Sequence, residues 1–159
     1  MSDFLLHFFK WCDATLISQI IRNSTYIFPV VEVLHLFGLT LLLGSVTVVD
    51  MRMLGVGMRR QSVSELASAL APWSVGAAIL TIVSGILLFL SEAMKCYGNT
   101  AFPYKMWFLL GGIILYFLTQ RRITSPTSRV SPAVLKVIAL LSLILWYGVA
   151  IAGRAIAFV

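Results

Sequence analysis

The sequence predicts an all-α integral membrane protein: a bundle of four transmembrane helices preceded by an amphipathic helix in the membrane interface. Three observations favour this fold class. The 159 residues are 60% hydrophobic and 11% charged, with a mean hydropathy of +0.97, whereas soluble domains have about 25% charged residues. Four segments approach the ~20 apolar residues that a helix needs to cross a bilayer. No linker or repeat divides the chain, so residues 1–159 are predicted to form one membrane domain.

The N-terminal segment, residues 1–22, is predicted to lie in the membrane interface. Its polar residues Asp3, His7 and Lys10 recur at helical spacing, and aromatic and aliphatic residues occupy the rest of the helical surface. This pattern is typical of an amphipathic helix whose apolar face enters the head-group region. A fifth crossing helix is the alternative, although Lys10 and Asp13 would then lie near its middle.

Four spans are predicted from the apolar runs that follow. They cover approximately residues 27–49, 73–91, 103–120 and 133–154. Proline is favoured in the first turn of a helix, where its missing N–H breaks no helical hydrogen bond. The sequence has one proline near the start of each apolar run, and these prolines are predicted to open the spans: Pro29, Pro72, Pro103 and Pro132.

The basic residues predict the orientation in the membrane. Cytoplasmic loops of bacterial inner-membrane proteins are enriched in Lys and Arg. The loops after the first and third spans hold six arginines, namely Arg52, Arg59, Arg60, Arg121, Arg122 and Arg129. The opposite side holds five basic residues, namely Lys10, Arg22, Lys95, Lys105 and Arg154. Both termini are therefore predicted to be periplasmic.

The same topology places Cys12 and Cys96 on one external side. A disulfide between them and two unpaired thiols both remain consistent with the sequence. The net charge of +6 is distributed at the ends of the apolar runs, which predicts contact with anionic lipid head groups and no nucleic-acid partner. The apolar surface also permits a homo-oligomer or a partner protein.

Ionisable residues inside a span are costly unless they are paired, so they mark candidate functional sites. Glu32 and His35 are three residues apart, which places them on one face of the first span. Asp50 lies eighteen residues after Glu32, on the same side. For Asp50 we expect an interfacial ion pair with a nearby arginine.

On each of the other three spans, polar and small residues form a line along one side of the helix, and this side is predicted to face the first span. The candidates for cofactor binding are taken from these lines and from the first span: His35, Glu32, Lys105, Arg154, Tyr147 and Tyr116. His35 is also the candidate metal ligand. Ser74, Thr81 and Gly85 lie on the line of the second span. Small residues on such lines let membrane helices pack closely, so Thr81 and Gly85 are interpreted as packing residues.

Three hypotheses account for His35. It is an axial ligand of haem b, since imidazole in an apolar helical bundle is a usual arrangement for that cofactor. Alternatively it exchanges a proton or a hydrogen bond with a quinone while Glu32 orients the ring. In the third hypothesis it bonds Glu32 or a tyrosine and fixes helix packing. The other histidine, His7, lies on the polar face of the interfacial helix, where a solvated side chain is the default. A second axial ligand would be one of Lys105, Met94 and Met106, would come from another protomer, or would be absent.

The run Glu32-Val-Leu-His35, together with Gly44 and Asp50-Met-Arg52-Met-Leu54-Gly55, resembles a bacterial family of uncharacterised four-helix membrane proteins. The resemblance covers most of the chain. More remotely, the chain is similar to HemJ-type protoporphyrinogen oxidases and to CopD-like copper-resistance membrane proteins. The HemJ resemblance implies haem b, with functional roles for His35 and for Lys105 at the opening of a later span. The tryptophan and proline that flank the HemJ motif are missing here.

Two functional hypotheses follow. The first is a small membrane redox protein that binds haem b, or interacts with quinone, through His35. The alternative is a non-enzymatic bundle, either an accessory subunit of a larger complex or a carrier of small solutes or ions. The sequence contains no Ser–His–Asp, zinc, P-loop or dinucleotide motif, which argues against hydrolase and nucleotide-driven functions.

Overall fold

The computed structural model describes residues 2–57, 60–123, 131–156 and 158. The helices of this part of the chain are α1 (Ser2–Asp13), α2 (Leu16–Asn23), α3 (Ile27–Leu54), α4 (Val63–Ser91), α5 (Ala93–Gly98), α6 (Ala101–Ile123) and α7 (Pro132–Ala155). Helices α3, α4, α6 and α7 are long and apolar enough to cross a membrane. The protein is therefore an all-helical, multi-pass membrane bundle, which confirms the predicted fold class. Two arginines used for the predicted orientation, Arg59 and Arg129, lie outside the described residues.

The outer surface of the bundle is apolar. Large side chains such as Phe37, Phe117 and Ile144 are each about 60% exposed. In water such a surface would be unfavourable, whereas lipid tails solvate it. The buried core is small by comparison and consists of Leu42, Val46, Ala77 and Trp146 from three of the long helices.

Helix α4 begins ten residues earlier than predicted. Ser62 caps it: its hydroxyl oxygen accepts a hydrogen bond from the Glu65 backbone N–H at 3.1 Å, and the Glu65 carboxylate accepts one from the Ser62 N–H at 2.9 Å. This reciprocal pair is a capping box, which satisfies two N–H groups that a helix start leaves free. The prediction that Pro72 opens the second span was wrong, because Pro72 lies inside the helix that the capping box starts.

Helix α3 also continues beyond its predicted end at residue 49 and ends at Leu54, where Gly55 follows. Gly55 adopts a left-handed conformation with φ of 88°, and its N–H bonds the carbonyl of Arg52. Glycine adopts this conformation without steric cost and is the usual residue after a helix C-terminus. Asp50 therefore lies within the helix, one turn before its end.

The N-terminal segment is two helices, so the prediction of one helix over residues 1–22 was wrong. Thr15 separates them. Its hydroxyl donates to the carbonyl of Cys12 at 2.8 Å and accepts from the N–H of Ser18 at 3.3 Å, so it ends α1 and caps α2. With 12 and 8 residues, neither helix reaches the length needed to cross a bilayer.

Helices α1 and α2 pack against the end of the bundle at which α3 begins. Phe9 of α1 forms edge-to-face contacts with Phe89 and Tyr97, with ring centroids 5.4 Å apart in both pairs. Phe89 in turn stacks on Phe102 of α6. Cys12 is buried and Cys96 is half-buried, and both are free thiols in the structure.

Candidate functional site

Polar side chains lie inside the bundle at two levels along α3. His35 marks one level and Asp50 marks the other. Fifteen residues separate them, which corresponds to about 22 Å along a helix. The two levels are therefore separate sites. They are called here the His35 site (His35, Thr81, Ser84, Gly85 and Lys105) and the Asp50 cavity, whose lining is given below.

The imidazole of His35 is held by helix α4. Its Nδ1 lies 3.0 Å from the carbonyl oxygen of Thr81 and 3.1 Å from the hydroxyl oxygen of Ser84. A carbonyl oxygen only accepts, so Nδ1 carries the ring proton. The Ser84 hydroxyl donates to the carbonyl of Leu80 at 2.6 Å, which leaves its oxygen as a second acceptor for Nδ1. In the neutral ring, Nε2 therefore has a free lone pair.

Gly85 makes room for the His35 ring. A Cβ atom added to Gly85 would lie 3.0 Å from Cε1 of His35, closer than side-chain carbons normally approach. Gly85 therefore packs against α3 as predicted. Thr81 packs there as well, and its carbonyl oxygen has the additional role of fixing the imidazole, which the sequence pattern did not indicate.

Lys105 reaches the same level from α6. Its Nζ lies 3.4 Å from the position that a Cβ on Gly153 of α7 would occupy, so the side chain lies against α7. Its positive charge is close enough to act on His35 and on the Cys96 thiol. The structure thus places the charge of Lys105 near His35.

The remaining candidates lie elsewhere. Glu32 is exposed and has no hydrogen bond to His35 among the described contacts. The guanidinium of Arg154 is exposed and lies 4.7 Å from the ring centroid of Phe158. The Tyr147 hydroxyl is 3.2 Å from the Thr47 hydroxyl, three turns of α3 away from His35. Tyr116 belongs to the second level.

The second level is a cavity of about 50 Å³ between the four long helices. One water molecule needs ~10–15 Å³, so the cavity has room for a few water molecules. Each of α3, α4, α6 and α7 contributes polar groups to its lining, which includes Ser45, Asp50, Ser74, Tyr116, Thr119 and Ser142. These residues together form the Asp50 cavity.

The surroundings of Asp50 differ from the interfacial ion pair that was expected for it. Asp50 is only 4% exposed and lies with Ser142 of α7 in the lining of the cavity. No arginine whose side chain the structure describes forms an ion pair with it, and Nε of Arg52 donates instead to the carbonyl of Gln61 at 2.7 Å. The expectation failed because the predicted span ended at residue 49, which placed Asp50 outside the membrane-spanning helix.

Part of the cavity lining lies on faces that the sequence had indicated. Ser74 and Tyr116 belong to the lines predicted to face the first span. Their depth was not indicated, because Asp50 lies four residues from the end of α3, Tyr116 seven from the end of α6 and Ser74 eleven from the start of α4. Ser45 and Ser142 gave no such indication, because serine is also common as a small packing residue between membrane helices.

A family model matches residues 8–159 of the chain. The chain belongs to DUF6644, a family of unknown function. This confirms the predicted resemblance to an uncharacterised family. No curated protein and no solved structure matches the chain.

The donor groups of this DUF6644 protein fit some metal centres and not others. Within the part of the chain that the structure describes, no three His, Cys, Asp or Glu side chains are grouped to hold a metal ion. A structural zinc site needs four such ligands. A haem iron needs only one or two protein ligands, because the porphyrin supplies the other four. His35, with its free Nε2, meets the requirement of a haem ligand.

Proposed function

We propose that this DUF6644 protein is a small redox protein of the bacterial inner membrane that binds haem b through Nε2 of His35. The supporting observation is the hydrogen bond from Nδ1 of His35 to the carbonyl of Thr81. Metal-ligating histidines usually donate their other ring proton to such an acceptor, which fixes the ring and raises the basicity of the ligating nitrogen. The haem, when bound, supplies one-electron chemistry.

Two cations near the same end of the bundle suit the anionic groups of a haem. Lys105 lies at the level of His35, and Arg154 is exposed close to the end of α7. We assign both to the propionates, because carboxylates form strong charge-assisted hydrogen bonds with such side chains. Glu32 has no part in this assignment, since the ring proton that it was expected to accept goes to Thr81.

Quinone is the alternative ligand of the His35 site. Its oxidised form offers only carbonyl acceptors and so requires donors from the protein. Nδ1 of His35 already donates within the bundle, so Lys105 would be the donor. The lone pair of Nε2 suits the reduced form, whose hydroxyl groups donate a proton. The neutral imidazole therefore fits a haem iron better than it fits an oxidised quinone.

An absorption spectrum of the detergent-purified protein, as isolated and after dithionite, tests the haem proposal. We expect a Soret band with sharpened α and β bands on reduction. The variant H35A should lose nearly all of this absorbance, while the control H7A, at an exposed histidine of α1, should keep it. A featureless spectrum from native protein expressed with ample haem would contradict haem binding. Unchanged haem content in H35A would contradict the ligand assignment.

A second candidate function is an accessory subunit without a cofactor. The observation in its favour is that the bonds of His35 to Thr81 and Ser84 join α3 to α4, as polar side chains do between membrane helices. In that case H35A should lower the melting temperature of a protein that never contained haem. Copurification of the native chain with a partner enzyme would favour this candidate over the redox protein.

We further propose that both termini are periplasmic. At the α3 C-terminal end, six arginines lie in the last turns of α3 and α6 or in the segments that follow these helices, and Lys136 near the start of α7 adds to them, against five basic residues at the other end. Basic residues are retained on the cytoplasmic side during insertion. The bilayer is the main partner in this proposal, and the exposed apolar surface leaves room for a homo-oligomer or a redox partner.

A further inference from the structure

A buried carboxylate oxygen in the bundle has no hydrogen-bond partner among the residues that the structure describes. It is Oδ2 of Asp50, a residue that is 4% exposed and lines the Asp50 cavity. Leaving a buried polar group unbonded costs about 1–3 kcal/mol, and more if it is charged. An occupant of the cavity that bonds to Oδ2 would remove this cost.

The charge of Asp50 has no counter-charge within the described structure. Among the lining residues, Tyr116 of α6 is the other titratable side chain, while α4 and α7 contribute no charged group. Nearby Arg52 is bonded to the carbonyl of Gln61, and Glu65 belongs to the capping box with Ser62. Among the side chains that the structure describes, none balances the carboxylate, so a proton or a bound cation would do so, since an isolated buried charge is strongly unfavourable.

The hydroxyl groups around Asp50 favour a cation. The Ser45 hydroxyl donates to the carbonyl of Leu41 at 2.8 Å, and that of Ser74 donates to the carbonyl of Leu70 at 3.0 Å. Their hydrogens are thus used within their own helices, and only lone pairs remain for the cavity. Beside the Asp50 carboxylate, these two hydroxyl oxygens attract positive charge and repel an anion.

We propose that the Asp50 cavity is a binding site for a small monovalent cation of the size of Na⁺, coordinated by Oδ2 of Asp50 and the oxygens of Ser45 and Ser74. The single carboxylate matches a single positive charge. Calcium sites usually have several carboxylates among six to eight oxygen ligands, and Mg²⁺ demands a nearly ideal octahedron. The site lies about 22 Å along α3 from His35 and does not depend on haem binding there.

The position of the site gives the cation a short route to one membrane surface. Asp50 precedes the end of α3 by four residues, or about 6 Å of helix. All four long helices meet around it, so an occupant would link them through bonds to oxygen. Cation binding should therefore stabilise the folded bundle, because a ligand that binds only the folded state raises the free energy of unfolding.

Thermal unfolding of the purified protein tests the site. NaCl replaces choline chloride at constant ionic strength, so that screening stays the same and only the small cation changes. We expect saturating Na⁺ to raise the melting temperature of the native chain by about 5 °C. LiCl and KCl in the same series give the size preference. This measurement on the native chain is decisive by itself. Equal melting temperatures in NaCl, LiCl, KCl and choline chloride would overturn the proposal.

Variants locate the effect. D50N keeps the side-chain volume and removes the negative charge, so it should lose the Na⁺-dependent shift. S74A removes one proposed oxygen ligand and should raise the Na⁺ concentration for half the shift several-fold. The control D13N removes a carboxylate from the exposed pair with Arg22 and should keep the full shift.

Two further outcomes would overturn the proposal. The first is a full Na⁺-dependent shift in D50N, which would place the cation elsewhere. The second is a native melting temperature that depends on pH and not on Na⁺, with neither dependence in D50N. That result would assign a proton, in place of a metal cation, as the counter-charge of Asp50.

Discussion

Gly38 of α3 lets the backbones of α3 and α4 come close together at the level next to His35. A Cβ at this position would lie 2.7 Å from Oγ1 of Thr81 and 3.1 Å from its backbone nitrogen. The Thr81 hydroxyl cannot easily move, because it donates to the carbonyl of Ala77 at 2.8 Å. The same residue supplies the carbonyl that holds His35, so packing at Gly38 and the orientation of the imidazole are coupled.

We therefore expect G38A to lower the free energy of unfolding by about 2 kcal/mol, the usual cost of forcing a methyl group into a packed contact. The control is G44A on the same helix, where the added methyl group meets no atom within 4 Å. There alanine should be neutral or slightly stabilising, since it is the better helix former. Unfolding in mixed detergent with rising SDS measures both variants. Equal stability of G38A and G44A would contradict this account of the contact.

The sequence correctly predicted which helix faces meet around His35. Helical spacing placed His35, Thr81 and Gly85 on facing surfaces, and the structure brings them into contact. Spacing gives the direction of a side chain but leaves open which of several neighbours it will bond. Glu32 is the nearest polar residue to His35 in the sequence, yet a backbone carbonyl of α4 takes the ring proton. The role of such carbonyls is invisible in a sequence, because every residue has one.

Among the helices, the existence of the four spans was easier to predict than their ends. Pro132 opens α7 as expected, and Ser131 caps it. Pro72 does not open α4, because the pair Ser62 and Glu65 starts the helix ten residues earlier. A proline permits a helix start, whereas a capping box provides bonds for the first N–H groups. The short helix α5 (Ala93–Gly98) was not predicted, since six residues show no clear periodicity.

Helix α5 presents a thiol whose reactivity can be predicted. Burial raises the pKa of the Cys96 thiol, and the nearby Glu92 carboxylate raises it further, while Lys105 and Lys95 act in the opposite direction. The thiolate is the reactive form. In the variant C12S we expect maleimide to label Cys96 more slowly than a free cysteine at pH 7.5. The rate should still increase about tenfold per pH unit above about pH 8.5, where the rate for an ordinary thiol levels off.

Two variants test the cause of that shift. E92Q removes one of the charges that raise the pKa of Cys96, so its labelling at pH 7.5 should be faster. C96S retains only Cys12, which is 2% exposed, and should be labelled very slowly in the folded protein. Labelling of the native chain only after treatment with a reductant would contradict the free thiols and indicate a disulfide between Cys12 and Cys96.

For the whole molecule, the distribution of polar groups is the reverse of that in a soluble bundle. Large apolar side chains cover the outside, while the interior contains Asp50 and several serine hydroxyls. Composition predicted this arrangement, and the apolar runs along the sequence predicted the number of spans. It could not predict that the polar interior divides into two levels, because depth depends on helix ends and those were misplaced by up to ten residues. The division matters for function, since Tyr116 and Tyr147 then lie too far along the bundle to join His35.

Four crossings require both termini to lie on the same side of the membrane, and the arginine-rich loops predict that side to be the periplasm. Alkaline phosphatase, which is active only in the periplasm, should be active when fused after Val159. Green fluorescent protein, which folds only in the cytoplasm, should fluoresce when fused to a chain truncated after Arg60. The difference of six arginines and Lys136 against five basic residues is small. The triple variant R121Q/R122Q/R129Q removes three of the six arginines and should invert a large fraction of the molecules, with lower phosphatase activity. The control K10Q/K95Q removes two of the five basic residues on the other side and should leave the activity unchanged. An inactive phosphatase fusion of the native sequence would reverse the proposed orientation and place the Asp50 cavity near the periplasmic surface.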